Sequence, residues 1–251
     1  MAPHVLLALA LGTLIGLSLG LLGGGGSILA VPVLVYVARV DVHAAIGMSL
    51  AVVGTTALIG GLVHVRAGRV DLRAAALFGG FGMLGAPLGA LATQAVAPRV
   101  LLLLFAALML AVGGLMLRGR DGGGHGARRP HRVAVPSAGL GVGLLTGFLG
   151  VGGGFLVVPA LTLLAGLPIH AAVGTSLLVI AANSAAGILG HLGQGEMPLG
   201  LTAAFTAAAA LGALAGVRLA SGLDPARLRR AFAVFVILVG LFLLGKNALA
   251  A

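Results

Sequence analysis

Long apolar stretches separated by short polar gaps dominate the chain. They fall at 5–22, 27–38, 43–63, 72–92, 98–117, 133–149, 154–166, 170–190, 198–217 and 226–245. A helix needs about 20 residues to cross a hydrocarbon core of ~30 Å, so most of these stretches predict membrane-spanning helices. Stretches 27–38 and 154–166 reach only about 18–20 Å at 1.5 Å per residue. Each follows directly on a glycine cluster and predicts a half-helix or a short, steep crossing. The pattern as a whole predicts an all-α polytopic membrane protein of about ten segments.

The ten segments are two copies of five. Sliding the sequence on itself by 127 residues aligns 12–117 with 139–244 without a gap, and roughly a third of the paired positions are identical. The run GLLGGGGSILAVPVL at 20–34 lies on GFLGVGGGFLVVPAL at 147–161, and HAAIGMSL at 43–50 lies on HAAVGTSL at 170–177. The organisation is a first transmembrane repeat, 1–117, a basic linker, 118–132, and a second repeat, 133–251.

Loop charge sets the orientation expected of the repeats. Loop 64–73 carries Arg66, Arg69 and Arg73, whereas its counterpart 191–200 carries one acid, Glu196, and no Lys or Arg. Loop 93–99 carries Arg99 alone, whereas 218–230 carries Arg218, Arg227, Arg229 and Arg230. Corresponding loops have swapped polarity, which predicts inverted halves, because cytoplasmic loops collect Lys and Arg. Placing both basic loops and the linker in the cytoplasm puts 12 of the 15 basic residues inside. Five crossings per half then leave both termini outside. The start, MAPHVLLALALG, lacks the basic region of a secretory signal peptide, and none is expected.

Composition narrows the chemistry. Hydrophobic residues make up 60% and charged residues 8% of the chain, and mean hydropathy is +1.20. That leaves too little polar surface for a water-soluble globule. The net charge of +10 sits in short gaps without interleaved aromatics, so no nucleic acid is expected as a partner. With no Cys, thiolate metal sites and cysteine nucleophiles are excluded. No Asp, Glu, Lys or Arg lies centrally in any segment, which disfavours cation transport, a carboxylate proton relay and a metal-dependent protease. No metal, cofactor or enzymatic activity is expected.

The candidate site residues are therefore neutral. Glycine breaks in corresponding places of two halves point to a transporter's substrate site, and a break followed by a short helix presents unpaired N–H groups that suit an anion. This selects Gly23, Gly25, Gly26 and Ser27 in one half and Gly152, Gly153 and Gly154 in the other. Tight helix packing is the bland alternative for these glycines. Pro32 and Pro159 are candidate kinks of the short helices. Ser49, Thr175 and Ser176, about one turn into the following helix, are candidate donors to the anion. Asn183, whose counterpart is Thr56, is the most polar residue deep in a long segment and a candidate for the pathway lining. His43, His170, His64 and His191 lie at helix ends near the membrane surfaces, where interfacial capping competes with a role in gating.

The doubled glycine run with Val-Pro downstream, followed by His-Ala-Ala-x-Gly-x-Ser-Leu, resembles the sulfite exporter TauE/SafE family over nearly the whole chain. In the first half Gly24, Ser27 and Met48 depart from the family pattern, and the two half-sites need not contribute equally. The resemblance implies a multi-pass carrier of the bacterial or archaeal inner (plasma) membrane. It would export a sulfur-containing oxyanion, such as sulfite, sulfoacetate or another organosulfonate, by alternating access. An anion channel and a non-transporting scaffold subunit are the alternatives. The partners expected are the small anion, the lipid bilayer and at most a second copy in a homodimer. Cysteines introduced at Gly123 and Gly195 should label from opposite sides of intact cells; labelling from one side would refute the inverted topology.

Overall fold

The computed structural model describes residues 3–93, 98–118, 134–149, 154–191 and 198–248. Among them every regular element is helical. The order is α1 (Pro3–Leu22), α2 (Ser27–Pro32), α3 (Val42–Arg66), α4 (Leu72–Thr93), α5 (Pro98–Arg118), α6 (Ala134–Leu149), α7 (Gly154–Pro159), α8 (Ile169–His191), α9 (Leu199–Ser221) and α10 (Pro225–Ala248). Helices α2 and α7 continue into single π-helical turns, Val33–Val37 and Ala160–Leu164. Counterpart elements begin 127 residues apart wherever both starts are described, so the sequence repeat is a structural one. Stretches long and apolar enough to cross a membrane occur in α3, α4, α8, α9 and α10. Leucines at 14, 84, 88, 91, 211 and 238 face outward, as an apolar solvent allows.

The three acids among the described residues mark helix starts. Asp71 Oδ1 accepts the Ala74 N–H at 2.8 Å and caps α4. Asp41 and Asp224 accept from Ala44 and Ala226 at the starts of α3 and α10, at 3.4 and 3.1 Å. Such caps satisfy N–H groups that the first helical turn leaves without partners. At the positions of Asp41 and Asp71 the second half has Pro168 and Pro198, which open α8 and α9. Helix α3 thus begins at Val42, and Ser49 lies two turns in, not one; Ser176 stands at the same depth in α8.

The prolines do more than kink. Each supplies no N–H, and directly after each the backbone widens to π spacing, with Ala38 N–H bonding to Val33 O and Ala165 N–H to Ala160 O, both at 3.0 Å. Both π turns end at a left-handed residue, Arg39 (φ 57°) in one half and Gly166 (φ 70°) in the other. Glycine meets this geometry without strain, whereas an L side chain costs roughly 1–2 kcal/mol.

Helices of one half pack on helices of the other. Helix α1 packs on α9 and α4 on α6, while α3 meets α8, α5 meets α10 and α2 meets α7. Contacts recur in duplicate. Gly16 of α1 abuts the Ala209 carbonyl of α9, and its counterpart Gly143 of α6 abuts the Gly82 carbonyl of α4. Gly12 lies under the Phe205 ring, and Gly139 lies against Phe78. Helices α3 and α8 run antiparallel, with Gly54 beside Ser184, Gly61 beside Leu178 and His64 beside Gly174. Antiparallel too are α5 and α10, with Gly113 near Ile237 and Gly240 near Met109. The apolar interior between the halves holds Phe78, Phe105, Phe155 and Phe232. Phe105 and Phe155 meet edge to face at 5.0 Å.

The α1–α9 seam has no room for a side chain at Gly16. Gly16→Val should destabilise the fold by about 1–3 kcal/mol, the cost of overpacking, whereas Gly114→Val, with nothing near it, should be tolerated. Thermal unfolding in detergent compares the two.

Candidate functional site

The first glycine break closes α1 and opens α2. Gly23 N–H still bonds to Leu19 O at 2.8 Å, and the chain then turns through a left-handed conformation at Gly23 (φ 75°). A Cβ here would lie 2.6 Å from Ser176 Oγ and 2.9 Å from Val173 Cα of α8, so both space and dihedral require glycine. Beyond it, Ser27 Oγ donates to Gly24 O at 2.7 Å. This bond folds the break back on the first residue of the short helix.

The two breaks meet. A Cβ on Gly24 would collide with the Gly154 carbonyl, and a Cβ on Gly154 would lie 2.7 Å from Ser27 Oγ and 3.1 Å from Ile180 Cδ1. Helices α2 and α7 therefore start beside one another, deep between α1, α3 and α8. Gly25 backs onto the Phe235 ring of α10, and Gly26 onto the Ile15 carbonyl of α1. Gly152 and Gly153 lie outside the described residues.

The hydroxyls serve this junction differently from the expectation that they donate to an anion. Ser176 Oγ, fully buried, offers its proton to Gly23 O at 2.6 Å and to Val173 O at 2.8 Å. That proton is committed to the backbone, and the bond to Gly23 crosses from the second half to the break of the first. Thr175 Oγ1 accepts the Asp71 N–H at 3.0 Å, which ties α8 to the turn between α3 and α4. Ser49 is buried. Asn183, seven residues beyond Ser176 on the same face of α8, is exposed. The α3–α8 register sets it opposite Thr55, also exposed, and apart from the junction of the breaks. Its counterpart Thr56 is buried with its hydroxyl oxygen unpartnered.

The histidines do not act together as caps. His64 is 1% exposed and neither ring nitrogen has a hydrogen-bond partner; His170 Nδ1 is buried and likewise unpartnered. The capping expectation fails for His64, because the side chain lies beneath α8 rather than over the last carbonyls of α3. The side chains of His43 and His191 lie outside the described residues. Gly174 is the neighbour that sequence reasoning missed. It stood inside the repeated motif, but only the antiparallel α3–α8 register reveals that it makes room for His64. The two ties from α8, Ser176 to Gly23 and Thr175 to Asp71, join residues more than 100 positions apart and leave no local signal.

Known proteins fit this architecture. The family model of the sulfite exporter TauE/SafE matches residues 8–243. A "Probable membrane transporter protein" of Xylella fastidiosa (strain 9a5c) is 36% identical over 243 residues, 94% of this chain and 93% of that protein. The "Probable membrane transporter protein YdhB" of Bacillus subtilis is 26% identical over 237 residues, 92% of this chain and 96% of that protein. No solved structure matches the chain. A duplicated bundle of apolar helices, glycine breaks in register and a family match over nearly its full length identify the chain as a multi-pass membrane protein of the sulfite exporter TauE/SafE family, a family of membrane transporters.

Proposed function

We propose that the protein is a secondary transporter that exports a small sulfur-containing oxyanion, such as sulfite, sulfoacetate or another organosulfonate, across the prokaryotic inner membrane by alternating access. The observation that carries this reading is the meeting of the two glycine breaks between the halves, at Gly24, Ser27 and Gly154. Backbone that leaves helical geometry at membrane depth must be buried in protein or line an aqueous path. In the middle of a bundle without central charges, its amide dipoles are the polar groups on offer, the Ser27 and Ser176 hydroxyls being turned to Gly24 O and Gly23 O. Through its N–H groups such a site attracts a compact anion with several acceptor oxygens. Gly25, Gly26 and the glycines at 152 and 153 complete the proposed lining, with Ser49 and Asn183 along the route.

The inverted five-plus-five arrangement belongs to the same proposal. A two-fold axis in the membrane plane turns equivalent helices antiparallel, as α3 and α8 run, and α5 and α10. Alternating access then amounts to rocking one half against the other about the junction of the breaks. In this arrangement Ser176 positions the break through the Gly23 carbonyl instead of binding the anion.

Reconstituted protein should move sulfite or sulfoacetate with saturable kinetics and faster exchange when anion is present on the far side. A flux linear in concentration would favour the channel reading, and none would refute transport of these anions. Gly24→Val should lower the flux at least tenfold with helix content and membrane insertion kept, since the added side chain enters the Gly154 backbone. Ser176→Ala leaves the buried Gly23 carbonyl without this donor and should cost about 1–3 kcal/mol in stability, measured by thermal unfolding.

A further inference from the structure

The turn between α3 and α4 packs on the start of α8 around the buried histidine that the transport reading leaves without a task. A neutral imidazole carries one N–H donor and one acceptor nitrogen, and at His64 both are unmet although the residue is 1% exposed. A Cβ on Gly174 would lie 2.9 Å from His64 Cβ and 3.1 Å from Cγ, so the side chain rests against the second turn of α8. His170 lies one turn earlier on that same face, with its Nδ1 buried and unmet. Arg69 is fastened to the same place: its N–H donates to His64 O at 2.9 Å, and its carbonyl, like the His64 side chain, lies against Gly174.

The chemistry of these groups has one sign. Helix α8 makes its first backbone bond from Ala172 N–H to Pro168 O at 2.9 Å, so the N–H groups of Ile169, His170 and Ala171 have no carbonyl one turn back. Asp71, the nearby acid, turns its Oδ1 to the Ala74 N–H at the start of α4, and its own N–H bonds to Thr175 Oγ1. The further charges around the site, Arg66 and Arg73 beside the turn and Arg218 at the end of α9, are exposed cations. Among the described residues no group of three or more His, Cys, Asp or Glu assembles as a metal site. Imidazole N–H groups, a guanidinium and a helix start together suit an oxyanion.

We propose that His64, His170 and Arg69 form a binding site for a small soluble oxyanion at the start of α8, through which the transported anion enters. The entry role rests on the transport reading; the site itself does not. The repeat gives the site a direction. The positions equivalent to His170 and His64 are His43 and His191, but the position equivalent to Arg69 is Glu196. In the sequence the second copy therefore has an acid in place of this cation, and the turn 66–73 carries three Arg against Asp71, whereas the opposite end carries Arg39 against Asp41 and Glu196. Positive-inside orientation places the basic turn in the cytoplasm, as loading for export requires.

The test is ¹⁵N-histidine spectroscopy of the full chain in zwitterionic nanodiscs, titrated with sulfite and with sulfoacetate at constant ionic strength. The His64 signals are identified by their loss in His64→Gln. Both anions should move the ring-nitrogen signals of His64 and His170 saturably. Arg69→Gln, which keeps the backbone bond to His64, should raise the half-saturating concentration about fivefold or more, the loss of one charge-assisted contact. Unmoved His64 signals at saturating anion, or an unchanged half-saturation in Arg69→Gln, would overturn the site. So would the same displacement in phosphatidylglycerol nanodiscs without added anion, which would assign the place to a lipid headgroup. A responding His64 in a protein without sulfite flux would refute the transport reading and leave the site standing.

Discussion

Backbone against backbone is the contact on which this molecule depends. Between helices in lipid the hydrophobic effect supplies little, because the tails are as apolar as the side chains, and association relies on close packing. Gly16 at the Ala209 carbonyl and Gly143 at the Gly82 carbonyl let α1 reach α9 and α6 reach α4 without intervening side chains. These seams join opposite halves. The pairing of α3 with α8 and of α5 with α10 follows once α1 and α6 are embedded in the other repeat. Each buried cluster draws on both halves, and Phe105 of the first finds its edge-to-face partner in Phe155 of the second.

The breaks inherit this interdependence. Gly23 adopts its left-handed turn in the first half, but the hydroxyl that satisfies its carbonyl belongs to Ser176 in the second. Gly24 and Gly154 have no side chains because each faces the other's strand of backbone. A polar junction at membrane depth is tolerable only if its carbonyls and amides are met, and the meeting groups come from across the molecule.

Much of the architecture was legible because its causes are local or repeated. Apolar run length gives the helices, the glycine clusters give the breaks, and the 127-residue shift pairs α2 with α7 to the residue. Individual roles were not legible where they depend on which faces meet. Ser176 reads as a ligand on its own helix and becomes a backbone tie only when α8 crosses Gly23. His64 reads as an interfacial cap because it sits near a helix end, yet the antiparallel crossing places α8 over it. Asn183 reads as pathway lining by its depth in the sequence, and only the structure shows it exposed, seven residues from the buried Ser176. Periodicity reports distance along a helix and is silent about rotation around it when, as here, nearly every position is apolar.

The antiparallel crossing of α3 and α8 also has a mechanical meaning. The pairs Gly54–Ser184 and His64–Gly174 centre it near Thr55 and Thr56 on one helix and Ala182 and Asn183 on the other, where equivalent residues come closest. A swing about this point would use it as a fulcrum, with arms of about 16–20 Å on α3 and about 13–20 Å on α8. At a rise of 1.5 Å per residue His64 lies about 13 Å from that fulcrum, so a swing of about 10° carries it roughly 2 Å. The same swing displaces the position of His191 by a comparable amount at the opposite end. If the halves rock as proposed, such a lever would make the two ends of the pair respond together, with one gaining clearance as the other loses it.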